Sequence, residues 1–485
     1  MTTPAARLQL MRTTSPVTDD HHPTGLTGLP GLTPLAGIEL DDGRLAHPAT
    51  HGLHRGATAP RSRQEAENEL VGFVCDLLQA PEATVGTVAA GLVESALMVL
   101  RAARDARPSL RRPTVVVPHS AHPAWFAAAA AVGVTPLVAP VGVDGSVQVG
   151  PVTALIRDDT VLVVASAPSY THGTVDPVAW MAAAASARGV PLHVDASSGG
   201  WALAYADLAG RLRQPWGFVV PGVTSLTIDV GPDRGTASDL SVLLHRDTAD
   251  RRAVHASSLG PRGPLDTAAT WSPPNAVLGE LAETLREVGH QRCSELALDA
   301  LDAADLLAEG LLDARGATLV ARPDATTIAL RADTTCDIFV FADALHHRGW
   351  SAQPLFPENG PPMLRLPVTA AMRPHVDACL GAMEAAAAEA QARGRAQVDP
   401  TLERLLEQLD PADVSAYAAG LLLDAAAVLD GAHPDQPGRR QATNLLLQAA
   451  LPEVRETLVT FQRDRLSRPL RHGTPALGAD RAHAE

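Results

Sequence analysis

Apolar residues recur at helical spacing across 64–78, at Leu70, Val71, Val74, Leu77 and Leu78, and predict an amphipathic helix. A second helix is expected over 94–106, stopped by Arg107 and Pro108. From there the pattern alternates. Short β-branched or apolar runs at 114–117, 136–139, 161–165, 191–195, 225–229 and 240–244 read as strands. Helical stretches at 123–132 and 177–188 lie among them. Short apolar strands with helices between them imply an α/β fold, a mostly parallel sheet covered on both faces. Ligands in such sheets sit at the carboxyl ends of the strands. Asp195 ends one strand, and Ser166 directly follows another.

Beyond residue 274 the period changes. Residues 275–314 read as one long helix with room for breaks. Strands are expected at 318–320, 327–330, 337–340 and 363–366, with a helix over 341–348. Helical spacing returns at 373–393, 401–409, 411–429 and 439–466. The expected organisation is a flexible N-terminal arm (1–61), a large domain (62–274), a connecting helix (275–315) and a small α+β domain (316–398). A helical extension (399–467) and a disordered tail (468–485) follow.

Composition narrows the function. The 485 residues are 46% hydrophobic and 19% charged, with a formal net charge of -15. That balance argues against a nucleic-acid binder and against a basic membrane-surface protein. The longest apolar stretches, such as 124–132, fall short of the roughly 20 residues that span a bilayer. With no signal-peptide core over 1–20, a cytoplasmic protein is expected. The four cysteines, Cys75, Cys293, Cys336 and Cys379, are far apart and form no metal-ligand spacing, so no metal site is expected. All 39 basic residues of the Lys+Arg class are arginine, so the chain contains no lysine.

Several stretches together carry a resemblance. They are Pro118-His119-Ser120-Ala121-His122, Ser166-Ala167-Pro168 through His172-Gly173-Thr174-Val175-Asp176-Pro177, and Pro191-Leu192-His193-Val194-Asp195-Ala196. Pro221-Gly222-Val223-Thr224-Ser225 and Asp337-Ile338-Phe339 through Arg348-Gly349-Trp350 add to them. Over 64–383 the chain resembles the fold-type-I pyridoxal-phosphate enzymes of the group II decarboxylase branch, and within it the sphingosine-1-phosphate lyases. The resemblance implies an aminotransferase-like large domain, a smaller α+β domain, pyridoxal phosphate as cofactor and a carbon–carbon lyase activity. It also implies roles. Asp195 matches the aspartate that pairs with the pyridine nitrogen and makes the cofactor an electron sink. His122 matches the histidine stacked on the cofactor ring, and His172 lies in a segment lining the same pocket. Ser166, Gly91 and Ser95 fall at positions that hold the cofactor. Read alone, a strand-terminal Asp195 caps a turn as readily as it serves a cofactor. His193 is expected to turn away from Asp195 as a structural histidine.

The chain departs from that family at two places. The family's Schiff-base lysine aligns with Pro232, after the strand Val223-Thr224-Ser225-Leu226-Thr227-Ile228. Arg234 is nearby, but a guanidinium stays protonated and cannot replace an amine. The family's phosphate turn, Thr-Ser-Gly-Gly-Thr-Glu-Ser, reads Ala89-Ala90-Gly91-Leu92-Val93-Glu94-Ser95 here, and its second phosphate segment is not recognisable over 265–271. Lost hydroxyls and a lost glycine weaken a site that relies on close backbone approach to an anion. The expectation is a catalytically silent dimer, either a homodimer or a heterodimer with an active paralogue, in which any pyridoxal phosphate is weakly and non-covalently bound. One alternative is an enzyme repurposed around the old pocket, taking a small-molecule ligand, with His122, His172, Ser169, Tyr170, Asp195 and Asp229 as acid–base groups. The other is a lyase that holds the cofactor non-covalently.

Overall fold

The computed structural model describes residues 62–212, 214–231, 240–249, 273, 275–312, 314–357, 360–409, 414–430 and 440–466. It also describes a short antiparallel strand pair, β1 (Ile38–Glu39) and β2 (Leu45–Ala46). The remainder of the expected N-terminal arm, Pro232, Arg234, the 265–271 segment and the expected tail lie outside the described residues.

A seven-stranded sheet forms the centre. Its strands are β3 (Val85–Ala89), β4 (Thr114–Pro118), β5 (Thr135–Ala139), β6 (Thr160–Ser166), β7 (Leu192–Ala196), β8 (Val223–Asp229) and β9 (Ser241–His245). The order is β3-β9-β8-β7-β6-β4-β5, and only β9 runs against its neighbours. The mostly parallel sheet expected from the apolar runs is therefore present. The run that was not anticipated is β3, in which Gly86 and Thr87 break the apolar pattern.

Helices cover both faces. On one lie α1 (Arg63–Leu77), α5 (Val178–Ser186), α6 (Gly200–Leu208) and the start of α7 (Asn275–Gly310), packed through Leu70, Val74, Met181, Leu203 and Leu281. On the other lie α2 (Leu92–Asp105) and α3 (Ala124–Val132), packed through Ala96, Leu100, Trp125 and Ala128. The small helix α4 (Val149–Leu155) completes the αβ alternation. Helix α1 starts at a capping box, Ser62 with Glu65. Helix α3 stops at Gly133, whose positive φ of 69° closes the last turn. Helix α7 is interrupted at Gly289, where φ 69° and ψ 167° leave the helical region.

A second core surrounds an antiparallel four-stranded sheet. Its order is β10 (Ala317–Leu319), β11 (Thr327–Ala332), β13 (Met363–Pro367) and β12 (Gln353–Leu355). The edge strand β12 carries Pro354, which has no N–H to donate to a further strand. One expectation is corrected here. Residues 337–340 are not a strand: Asp337 is the N-cap of α8 (Ile338–His346), and its carboxylate accepts from the Phe339 and Val340 amides. The Ile-Phe-Val-Phe run suits a buried strand or a buried helix equally, and the cap decides between them.

A short 3-10 turn leads into α9 (Val376–Arg393), and α10 (Pro400–Glu407), α11 (Ala416–Asp430), α12 (Gln441–Ala449) and α13 (Pro452–Leu466) follow. Helices α10 to α13 share their own core around Leu402, Leu423, Leu446 and Leu458. Two carboxylates hold the start of α12: Asp343 of α8 accepts from the Arg440 and Gln441 amides, and Asp430 accepts from the Thr443 amide and hydroxyl. Anions at a helix N-terminus meet its unpaired amides and its positive dipole end. No helix among the described residues is long and apolar enough to cross a membrane.

Candidate functional site

The carboxyl edge of the large sheet gathers most of the residues singled out in the sequence. Ser166 ends β6 and lies in register with Asp195 on β7. Asp229 ends β8 opposite Ser241, whose other neighbour is Ala89 at the end of β3. The turn after β3 carries Gly91 into α2, and the turn after β4 carries His122 into α3. Strands β3 and β7 are thus three strand spacings apart, about 14 Å.

Asp195 is buried, and protein groups already satisfy its carboxylate. Oδ2 accepts from the Trp125 indole N–H at 2.9 Å. Oδ1 accepts from the Ser197 amide at 3.0 Å and the Ser197 hydroxyl at 2.7 Å. Trp125 was not singled out in the sequence; the only hint was a lone aromatic pair in an alanine-rich helix. His193 is corrected relative to expectation. Positions two apart on a strand share a face, so His193 lies on the Asp195 side, its ring 5.0 Å from that of Trp125. Its Nδ1 pairs with the Ser225 hydroxyl at 2.8 Å, and burial first, then His245, pull its pKa down to about 3.

Asp176 is the second buried carboxylate at this edge. Its Oδ2 accepts from the Ser166 amide at 2.7 Å, and its own amide donates back to the Ser166 carbonyl at 3.0 Å. Burial raises its pKa to about 7; the Ser166 amide opposes the rise and the nearby Asp195 charge adds to it. Asp176 Oδ1 and Ser166 Oγ have no partner among the described residues.

His122 is half-buried. Its Nδ1 accepts from the Ala124 amide at 3.0 Å, which caps the start of α3, and its ring meets Tyr170 edge-on at 4.5 Å. His172 is more deeply buried. Its Nδ1 pairs with the Thr171 hydroxyl at 2.6 Å, and its ring packs on the turn at Gly145 so closely that a Cβ there would lie 2.3 Å away. Burial above all lowers its pKa to about 4, aided by His119 and opposed by Asp144.

At the helix start, Gly91 has φ 85° and ψ 176° and bonds the Ser95 amide through its carbonyl. Glu94 reaches back to accept from the Ala90 amide, and burial raises its pKa. Ser95 is fully buried, and its hydroxyl has no partner among the described residues. Leu92 is buried, while Val93 is 51% exposed. The first turn presents backbone amides but no side-chain hydroxyl at 92 or 93.

The small sheet closes the edge from above. Arg365 of β13 donates through Nε to the Tyr170 carbonyl at 2.7 Å and lies 4.4 Å over the Tyr170 ring. Tyr170 in turn donates to Gln353 Oε1 of β12 at 3.1 Å. Gly173, with φ 71°, approaches β11 so closely that a Cβ would fall 2.2 Å from the Thr327 carbonyl.

Residues 74–201 match the family Aminotransferase class-V. The chain has an α/β fold like that of the fold-type-I pyridoxal-phosphate enzymes, with helices on both faces of the large sheet. Proteins similar to it in sequence include sphingosine-1-phosphate lyases and a probable L-tyrosine/L-aspartate decarboxylase. It is 29% identical over 319 residues to the sphingosine-1-phosphate lyase of Drosophila melanogaster, covering 64% of this chain and 58% of that protein. It is 28% identical over 318 residues to the enzyme of Dictyostelium discoideum, with the same coverage. The chain thus spans somewhat over half the length of these curated relatives. Among solved structures, the sphingosine-1-phosphate lyase of Burkholderia pseudomallei superposes with a TM-score of 0.62 at 26% identity, covering 68% of this chain and 78% of that one. A Lactobacillus brevis glutamate decarboxylase superposes at 0.60 with 20% identity, a likeness of fold alone.

Proposed function

We propose that this chain is a catalytically silent homologue of the pyridoxal-phosphate lyases, acting as a dimeric scaffold or partner subunit. The observation that carries the reading is the absence of any lysine among 485 residues. Covalent capture of a carbonyl cofactor requires an amine nucleophile, and arginine does not supply one at accessible pH.

The donor set supports the same reading at both ends of the pocket. At the phosphate end, the 89–93 turn offers no hydroxyl, and Leu92 stands where glycine would let a backbone approach. At the ring end, the Asp195 carboxylate is engaged by Trp125 and Ser197. The residues present do not fit a covalently held, phosphate-bearing cofactor, and no catalytic step is assigned through one. Absorbance after mixing with pyridoxal phosphate and desalting tests this. The expected spectrum is that of the protein alone; a retained cofactor band contradicts the reading. Native mass spectrometry of the same sample is expected to give a dimer mass, and a monomer contradicts the scaffold role.

A second reading, a cofactor-free acid–base enzyme at the same edge, has one observation in its favour. Asp176, with its carboxyl at about 7, sits beside Asp195 and Ser166, where it could exchange a proton near neutral pH. A small-molecule turnover that is lost in Asp176→Asn would favour that reading.

A further inference from the structure

We propose that Tyr170 is a gate over the carboxyl-edge pocket and that the C-terminal helical extension holds it shut through the β12–β13 hairpin. The inference rests on the placement of the old ligand pocket at this edge. Its physical basis is a chain of contacts from the extension to His122.

The first contact is Arg455 on α13. Its Nε donates to the Leu447 carbonyl at 2.7 Å, and its Nη2 reaches the Ala450 carbonyl at 3.2 Å, so it closes the end of α12. The same guanidinium reaches out of the extension. Nη1 donates to the Phe356 carbonyl at 3.3 Å, and the group lies 5.3 Å over the Phe356 ring. Phe356 directly follows β12 and packs against Phe339 of α8 at 5.8 Å.

The second contact is β12 itself. Gln353 pairs across the ladder with Arg365 of β13. These two side chains hold Tyr170, Gln353 by accepting from its hydroxyl and Arg365 by bonding its carbonyl and covering one ring face. The ring edge then rests against His122. Tyr170 is thus fixed by the small sheet on one side and by the large domain on the other. An extended strand edge fastened at Phe356 leaves Gln353 little freedom to retreat. Freeing Phe356 from Arg455 lets the short edge strand, with Pro354 at its centre, move and release the tyrosine.

Access to His122 reads the gate directly. The full chain is treated with diethyl pyrocarbonate, and carbethoxylation at His122 is followed by peptide mass spectrometry, with exposed His375 as the internal control. Gln353→Ala, at an exposed position, removes the hairpin tie; Arg455→Ala removes the extension tie. Each is expected to raise the His122 rate about fivefold, the scale of one hydrogen bond, with His375 unchanged. Any other pattern overturns the proposal: no rise in either variant, a rise in Gln353→Ala alone, or a rise in Arg455→Ala alone. Should Arg455→Ala fail to fold by circular dichroism, Arg455→Lys keeps the charge and stem but cannot span both the Leu447 and Phe356 carbonyls, and the same outcomes apply. The absorbance test on the unmodified protein reports on the cofactor reading independently.

Discussion

The strand ends at Ser166 and Asp195 differ from the helix start at Gly91, although both belong to one sheet edge. At the strand ends the family-like residues persist; the Asp195 carboxylate is engaged within the protein, while the Ser166 hydroxyl has no partner among the described residues. Asp195 accepts from Trp125 and Ser197, and Asp176 ties Ser166 at both its amide and its carbonyl. At the helix start the residues that would face a ligand are gone, and only Gly91, Glu94 and Ser95, which shape the turn and the helix, remain. The difference teaches that hydrogen bonding within the protein is enough to account for Asp195, with or without a ligand. Asp195 is consequently weak testimony for a bound cofactor, whatever its ancestry.

The comparison can be broken by substitution, and the largest expected effect is a pH dependence at the strand ends. The Asp176 carboxyl is raised from the ordinary 3.8 to about 7 in the folded state. The folded protein therefore binds this proton more tightly than the unfolded chain does. The stability it contributes is full below about pH 4 and is lost as pH rises toward 7, on the order of 4 kcal/mol across the window. Asp176→Asn keeps the acceptor for the Ser166 amide and is expected to flatten that slope in thermal melts between pH 4 and 7. An unchanged slope would mean that Asp176 is not the group responsible.

Next in size is Asp195→Ala. It leaves the Trp125 and Ser197 donors buried without an acceptor, at a cost of about 2–3 kcal/mol in chemical denaturation. Were Asp195 held only for a cofactor, the apoprotein would tolerate the change. Trp125→Phe sharpens the point by removing one donor and little volume, with an expected loss of about 1 kcal/mol. The smallest effect is expected at the helix start. Val93→Thr restores a hydroxyl at a half-exposed position, shifts stability by less than about 0.5 kcal/mol and leaves pyridoxal phosphate unretained after desalting.

These regions also differ in how far the sequence exposes them. The apolar runs that became β4, β6, β7 and β8 are legible because strands buried on both faces need them. Edge elements are harder: β3 contains Gly86 and Thr87, and β12 contains Pro354, so neither has a clean pattern. Within the site, Ser166, Asp195 and His122 are legible as strand-end and turn residues. The bond from Trp125 to Asp195 is not, because 70 positions separate the two and only the sheet order brings them together. The surroundings of His172 are equally hidden in the sequence. Its ring packs on the Gly145 turn, a contact that only the folded chain brings together.

The central claim of the proposal is that this lysine-free protein cannot hold pyridoxal phosphate covalently. Borohydride reduction of the protein incubated with pyridoxal phosphate, followed by intact and peptide mass spectrometry, tests it most directly. The account predicts an unmodified internal sequence, with any adduct confined to an N-terminal amine. A cofactor mass fixed to an internal residue would contradict it.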